Sequence, residues 1–372
     1  MRLAWKRAYT FLRMCSKKCL MAHEKSDILC VTGYTWMEKK EANMATIRDV
    51  AKRAGVSVAT VSRVLNQNGY VNEETERRVR QAMKELNYKP NEVARALFKK
   101  TSKTVGLIVP DITNPFFPEL VRAVEDVMNI YDYTVILCNS DEKPEKEREY
   151  IEVLKQKYVD GVILTTNQFA PEEVEEWDVP IVVLDRPLHE RYPSVIADNY
   201  EGARLATRHL YEVGCRRIAH IQGPAHVVNA MERFRGYQDE MKALGLGDRQ
   251  LVIQGNYQLK QAKEAVMAAL GGHEIDGIFA GNDAMAVGAL KAVQQCGLRV
   301  PDDIAIIGYD GIPLTEMTTP ELSTVSQPIY DMGAMAARIL IKQIEGKPLE
   351  KLHYQLPVQL VVRQSTSRRG LT

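Results

Sequence analysis

The chain has 372 residues, 45% of them apolar and 26% charged, which gives room for two or three domains and is typical of a folded globular protein. This composition excludes a disordered chain, a collagen-like fibre and a coiled coil, and the lack of a run of about eighteen uncharged apolar residues excludes a membrane-spanning helix. Residues 1–43 carry a net charge of +5, residues 44–104 carry +7 and the remainder carries −11. A basic end on an acidic body suggests contact with nucleic acid, although a solvated basic surface gives the same count.

Residues 1–43 show no sign of a folded domain. Charged residues such as Lys6 and Arg13 interrupt every apolar run, so the segment does not resemble a secretory signal. Its cysteines have no downstream Cys or His pair at zinc spacing, and six Cys in the whole chain favour a reducing cytoplasm over a disulfide scaffold. We interpret 1–43 as an unstructured extension, or as a start-site artefact with natural translation beginning at Met44.

Residues 44–90 carry the signals of three short helices. Thr46 and Ser57 are placed as N-caps of helices that begin one residue later. Gly55 lies between these two helices, where it can adopt a positive φ and end the first of them. A third helix is predicted over about Glu73–Leu86. Two short helices joined by a turn with Gly are typical of a helix-turn-helix, whose second helix enters the major groove of DNA.

The second of these helices, Val58–Leu65, has one apolar and one polar face. Val61, Val64 and Leu65 face inward by helical spacing. Arg63 faces outward and can pair with two acceptors of guanine, while outward apolar groups can contact a thymine methyl and the hydroxyls can donate to phosphate. An unrelated helical bundle would have the same helices, but the capping signals combined with this outward set favour DNA binding.

The run ATIRDVAKRAGVSVATVSRVLNQNGYVNEETERRVRQAMKELNYKPNEVARAL resembles the head of the lactose-repressor family of bacterial transcription regulators. The resemblance implies a repressor that binds a palindromic double-stranded operator as a homodimer. It also implies that the head contacts DNA through Thr46, Ser57, Val58, Ala59, Thr60, Ser62, Arg63, Asn66 and Tyr70.

Residues 91–103 form a linker whose first part is too short to hold as an isolated helix in water. The family resemblance implies a hinge helix that orders on the operator and pairs with its two-fold mate in the minor groove. Asn91 and Ala94 would then lie along the groove, and Leu97 would wedge into a base step and kink the duplex. A plain tether with a buried Leu is the alternative.

Residues 104–372 alternate short β-branched runs with amphipathic helices. Continuous apolar strands between helices indicate parallel sheet that is buried on both faces, and the length favours two doubly wound lobes. The predicted strands are Val105–Val109, Thr134–Cys138, Gly161–Leu164, Ile181–Leu184, Ile218–Ile221, Gly277–Ala280 and Ile304–Gly308. The fold class expected for the whole chain is a small all-α helix-turn-helix domain followed by a two-lobed, periplasmic-binding-protein-like α/β core that also mediates dimerisation.

Polar and aromatic residues follow most of these strands, at the sheet edge where ligands of such folds bind. Carboxylate, guanidinium and amide groups can bind vicinal hydroxyls, and aromatic faces can stack on a sugar ring. The core resembles the sugar-binding body of lactose-type repressors, most closely that of the ribose operon repressors, through the motifs DITNPFF, LDRP, MERFRGY, FAGNDAMAVGAL, IGYDG and STVSQP. The resemblance implies a ligand set of Asn114, Phe116, Phe117, Asp185, Arg186, Arg233, Asn282, Tyr309, Asp310 and Gln327. Tyr309 departs from the Phe that is common in pentose binders, and its hydroxyl could shift the preference to another sugar or to a phosphorylated one.

We expect no enzymatic activity, no cofactor and no metal site. Asp185 and Asp310 could form a glycosidase pair, but a carboxylate that stands beside an arginine stays ionised and cannot act as the general acid. The predicted function is repression of a sugar-utilisation operon, with ribose or a related pentose as the effector that releases the operator. A catabolite-control regulator that uses a phosphocarrier protein or a sugar phosphate as corepressor is one alternative. A transport-associated sugar-binding protein is another, although it would need a signal peptide and no helix-turn-helix.

Overall fold

The structure, a computed structural model, describes residues 45–66, 69–89, 101–166, 169, 177, 179–188 and 190–367. They fall into two compact units that divide between Pro90 and Asn91. The predictions for residues 1–43, and for Asn91, Ala94 and Leu97 in the linker, lie outside the described residues.

The first unit is a bundle of three helices, α1 (Ile47–Ala54), α2 (Val58–Asn66) and α3 (Glu73–Glu85). Val50, Val61 and Val79, one from each helix, are fully buried in its core. The predicted second helix is therefore present and extends one residue further, to Asn66.

The second unit contains two six-stranded sheets, one in each of two lobes. The first lobe begins with β1 (Thr104–Val109), α4 (Phe116–Ile130), β2 (Thr134–Asn139), α5 (Pro144–Gln156), β3 (Gly161–Leu164), β4 (Ile181–Leu184) and β5 (Ser194–Ala197). The second lobe follows with α6 (Asn199–Glu212), β6 (Ile218–Gln222), α7 (Val228–Ala243), β7 (Leu251–Gln254), α8 (Leu259–Leu270), β8 (Gly277–Ala280), α9 (Asp283–Gln295), β9 (Ala305–Asp310) and β10 (Ser323–Ser326). Finally, α10 (Ile329–Ile344) and β11 (His353–Leu356) return to the first lobe, and β12 (Gln359–Val361) joins the second. Short 3₁₀ helices lie at Gly247–Arg249, Pro313–Thr315 and Gln364–Thr366.

The strand order is β11-β5-β4-β3-β1-β2 in the first lobe and β12-β10-β9-β8-β6-β7 in the second. All described pairings are parallel except that of β12 with β10. The chain passes between the lobes after β5, after β10 and between β11 and β12. Because parallel strands end at one edge of a sheet, the residues that follow them can gather at a single site.

All seven predicted strands are present, with ends that differ by at most two residues. Five further strands were not predicted, namely β5, β7, β10, β11 and β12. Three of the five lie at sheet edges. An edge strand is only partly covered, so its sequence need not be a continuous apolar run.

Candidate functional site

The caps predicted for the first unit set the start of α1 and α2. The Thr46 hydroxyl accepts from the Asp49 amide at 3.4 Å, and the Asp49 carboxylate accepts from the Thr46 amide at 2.8 Å, so the two residues form a capping box. Ser57 Oγ accepts from the Thr60 amide at 3.1 Å and so fixes the first turn of α2. Gly55 has a φ of 65° and ends α1 as expected.

The outward face of α2 carries the residues predicted to read DNA. Val58, Ala59 and Arg63 are exposed. Thr60, Ser62 and Asn66 are half-buried, and Tyr70 is 91% exposed. This exposed face has the guanidinium, apolar and hydroxyl groups needed for base and phosphate contacts.

Asn66 differs from the expected freely exposed phosphate donor. Its amide nitrogen donates to Ser62 Oγ at 3.2 Å, and its Oδ1 is buried without a partner among the described residues. The pair forms a small polar network at the end of α2, which a phosphate oxygen could enter by accepting from the Ser62 hydroxyl.

In the second unit, side chains from both lobes surround a cavity. Nine of the ten predicted ligand residues line it: Asn114, Phe116, Phe117, Asp185, Arg186, Arg233, Asn282, Asp310 and Gln327. Phe116 and Phe117 meet edge to face, with ring centroids 5.1 Å apart. The cavity therefore combines an aromatic wall with several charged and amide groups.

Tyr309, the tenth predicted ligand residue, does not line the cavity. Adjacent residues of a strand point to opposite faces, so Tyr309 faces away when Asp310 faces the cavity. Its ring is fully buried, and Arg233 Cζ lies 3.8 Å from the centroid of the ring. The Tyr309 hydroxyl donates to the Asp198 carbonyl at 3.3 Å. Tyr309 is therefore not placed to stack on a ligand in this cavity.

Arg233 is the most constrained of the cavity residues. Its Nε donates to Asn199 Oδ1 at 2.8 Å and its Nη1 donates to the Gly281 carbonyl at 2.5 Å. Nη1 also lies 3.4 Å from Asp310 Oδ1, which accepts from Gln327 Nε2 at 2.8 Å. Since Asn199 and Gln327 stand at two of the connections between the lobes, this network joins the cavity directly to those connections.

Two cavity carboxylates stand on unusual backbone. Asp185 has a φ of 67° and Asp310 a φ of 116°, values that are uncommon for residues other than glycine. Asp283 holds the turn after Asp310, because its carboxylate accepts from the amides of Gly311 at 2.7 Å and Ile312 at 2.9 Å. Such strain persists where surrounding contacts fix it and is enriched at ligand sites.

Three buried polar atoms of residues that line the cavity have no hydrogen-bond partner among the described residues. They are Asp185 Oδ1, Arg186 Nε and Gln327 Oε1. A buried polar group without a partner is destabilising, so each needs a ligand or water. Two acceptors and one donor suit a ligand with several hydroxyl groups, since each hydroxyl can both donate and accept.

Burial changes the ionisation of this site. It raises the pKa of Asp310 to about 7, against the opposing effect of Arg233. It also raises the pKa of Asp185, which Arg186 and Arg233 oppose. Burial therefore opposes, at both carboxylates, the ionisation that an adjacent arginine is expected to maintain.

Sequence reasoning missed two cavity residues, Asn229 and Tyr257. Asn229 lies in the first turn of α7 rather than after a strand. Tyr257 follows β7, one of the strands that were not predicted. The apolar run Leu251–Ile253 was the signal that could have identified β7 and so Tyr257.

The described residues contain no group of three or more His, Cys, Asp or Glu placed to hold a metal ion. A membrane-spanning helix is likewise not found among them.

Two family models match the chain. The model for bacterial regulatory proteins of the lacI family matches residues 46–91, and the model for a periplasmic binding protein-like domain matches residues 207–366.

Curated relatives align with this chain over nearly their own whole length. A ribose operon repressor of Halalkalibacterium halodurans is 54% identical over 324 residues, which cover 87% of this chain and 97% of the relative. A ribose operon repressor of Bacillus subtilis is 45% identical over 87% of this chain and 99% of the relative.

Solved structures agree with these matches. The lac repressor dimer bound to operator and the anti-inducer ONPF has a TM-score of 0.79 and 30% identity, covering 87% of this chain and 99% of that one. A LacI family transcriptional regulator from Enterococcus faecium with bound ribose has a TM-score of 0.66 and 31% identity, covering 70% of this chain and 98% of that one.

Proposed function

The chain belongs to the lacI family of bacterial regulatory proteins, and we propose that it represses a ribose-utilisation operon and leaves its operator when ribose binds between the lobes. It is a DNA-binding repressor that responds to a sugar. Ribose as the effector is supported by the relatives and by the chemistry of the cavity.

The sugar proposal rests on three buried atoms without a partner among the described residues, Asp185 Oδ1, Arg186 Nε and Gln327 Oε1. Their residues line a cavity that Phe116 and Phe117 also line. Hydroxyl groups of a sugar satisfy such atoms, and the phenyl rings cover the apolar face of the sugar ring.

A sugar phosphate fits the cavity less well, because both guanidiniums already have carboxylate partners. Arg186 Nη2 donates to Glu142 Oε1 at 3.0 Å, and Arg186 Nε lies 3.8 Å from Asp185 Oδ2. Arg233 Nη1 lies 3.4 Å from Asp310 Oδ1. At a pH where these carboxylates are ionised, a phosphate group would therefore meet no uncompensated positive charge. A transport-associated binding protein is also not favoured, since the first unit belongs to a family of transcription regulators.

The repressor acts as a homodimer in the cytoplasm, without catalysing a reaction, and each head reads one half of a palindromic operator. Arg63 and the exposed face of α2 contact the bases, Asn91, Ala94 and Leu97 contact the minor groove, and Lys and Arg residues of the head bind phosphate. Sugar that prefers the closed lobes shifts the dimer away from the arrangement that fits DNA.

The test measures operator binding by fluorescence anisotropy at fixed salt, with and without ribose, against a scrambled duplex of the same length. The proposal predicts sequence-selective binding that ribose weakens, with glucose and ribose 5-phosphate as comparison ligands. Binding that is not selective for sequence would contradict the repressor assignment. Selective binding that responds to another sugar, and not to ribose, would contradict only the choice of ligand.

A further inference from the structure

We propose that Asn229 links the two lobes in their closed arrangement and orients Asp185 toward the bound sugar, so that it is a positioning residue for ligand recognition. The inference rests on the proposed sugar-binding function and deepens it. It assigns a role to a side chain that the sequence analysis missed.

Both ends of the Asn229 amide are engaged, and one of them reaches across the cavity. Its Nδ2 donates to Asp185 Oδ2 in the first lobe at 3.1 Å. Its Oδ1 accepts from the Tyr257 hydroxyl in its own lobe at 3.4 Å. Asn229 is only 5% exposed, so water does not replace these bonds easily. The amide thus forms a bridge from Tyr257 to Asp185.

This bridge determines which oxygen of Asp185 faces the ligand. Asn229 holds Oδ2, whereas Oδ1 of this cavity-lining residue is buried without a partner among the described residues. A carboxylate with one oxygen fixed and the other unpaired is a preorganised acceptor for one hydroxyl group. Without the Asn229 amide the carboxylate could rotate and would lose this preference.

A second contact between the lobes is weaker. His226 Nε2 lies 3.9 Å from Glu142 Oε2, and the His226 side chain is 60% exposed. An exposed polar contact at this distance contributes little to stability. The buried bond from Asn229 is therefore the stronger of these two links.

The role depends on an uncharged donor at position 229. An aspartate there would place a second carboxylate beside Asp185, and like charges at this distance cannot both ionise without a large penalty. The other charged and titratable groups that face this point are Arg186, Arg233, Tyr257 and Asp310. These residues are the same in both proteins, so comparison with the wild type at each pH isolates the effect of the added carboxylate, including any change that it causes in their pKa values.

The experiment measures ribose affinity by calorimetry for the full-length wild type, Asn229→Asp and Asn256→Asp at about pH 5.5 and about pH 8, a range in which a strongly coupled carboxylate pair ionises. Asn256 is exposed and bonds Gln261 at 2.9 Å, so its substitution adds the same charge in the same lobe without touching Asp185. The ratio of the Asn229→Asp dissociation constant to that of the wild type should be at least about tenfold larger at the higher pH. The ratio for Asn256→Asp should stay constant.

An equal loss of affinity at both pH values would show that Asn229 acts only as a packing residue and would overturn the inference. Thermal unfolding without sugar provides a second measurement, because the melting temperature of Asn229→Asp should fall further below the wild type as pH rises. A constant difference in melting temperature would also contradict the bridge to Asp185. If the wild type itself fails to bind ribose, the ribose proposal fails instead, and the unfolding data still decide whether the bridge exists.

Discussion

Arg233→Ala tests whether the cavity controls the response to sugar. The guanidinium has three polar partners, Asn199 Oδ1, the Gly281 carbonyl and the Asp310 carboxylate, and it is 3% exposed. Its removal leaves these groups buried without their donor. It also removes the cation that stacks on the Tyr309 ring.

The expected loss of stability follows from these contacts. Removing one partner of a buried ion pair costs about 3–5 kcal/mol, because the other charge stays buried. Whole domains are stable by only about 5–15 kcal/mol, so the variant should fold with a reduced margin. Protonation of Asp310 limits the penalty, since burial raises the pKa of that carboxyl to about 7. The loss should therefore be smaller at pH 6 than at pH 8.

The assay combines urea unfolding with ribose titration of the operator complex. We expect Arg233→Ala to bind the operator but to keep it when ribose is added. Arg235→Ala is the matched control, since Arg235 stands on the same helix with its side chain 60% exposed and contacts only the surface, where it pairs with Glu232 and lies over the Tyr200 ring. That variant should lose at most about 1 kcal/mol. An Arg233→Ala protein that releases the operator with wild-type sensitivity to ribose would refute the assignment of the cavity.

Three further predictions test other parts of the molecule. Arg63→Ala should lose about 1–3 kcal/mol of discrimination between the operator and a duplex with one guanine replaced, measured by competition binding. An equal loss of affinity for both duplexes would contradict base reading by Arg63. Burial lowers the pKa of His220 to about 3, so the stability that depends on its neutral imidazole is complete above pH 6.5 and is lost as the pH falls toward 3. His220→Gln should therefore lose less stability than the wild type over that pH range in unfolding titrations. Parallel stability curves for the two proteins would contradict this. Gly236→Ala should destabilise the second unit by about 1–3 kcal/mol, because the new Cβ would collide with the Tyr200 carbonyl. Gly272→Ala is the control and should unfold like the wild type, because no atom lies within 4 Å of its new Cβ.

The central strands could be predicted because burial on both faces imposes a continuous apolar run. Gly161–Leu164, Ile181–Leu184 and Gly277–Ala280 have the predicted bounds and are buried at every position. His353–Leu356 and Gln359–Val361 lie at sheet edges and mix exposed with half-buried residues. Their pairing depends on contacts with distant strands, which local sequence does not reveal.

Most of the cavity could be predicted because the residues after parallel strands meet at one edge. That rule found Asp185 and Asn282, but it could not decide which of two adjacent residues, Tyr309 or Asp310, faces the ligand. Only the observed alternation along β9 resolves this. Asn229 was missed because its role depends on the distance between two lobes, which no local pattern encodes.

The most direct test of the account is a thermodynamic cycle in one buffer. Operator affinity is measured with and without saturating ribose, and ribose affinity is measured with and without saturating operator. The account predicts that each ligand weakens the other by the same factor, as linkage requires. Operator affinity that stays unchanged at saturating ribose, with ribose shown to be bound, would contradict it.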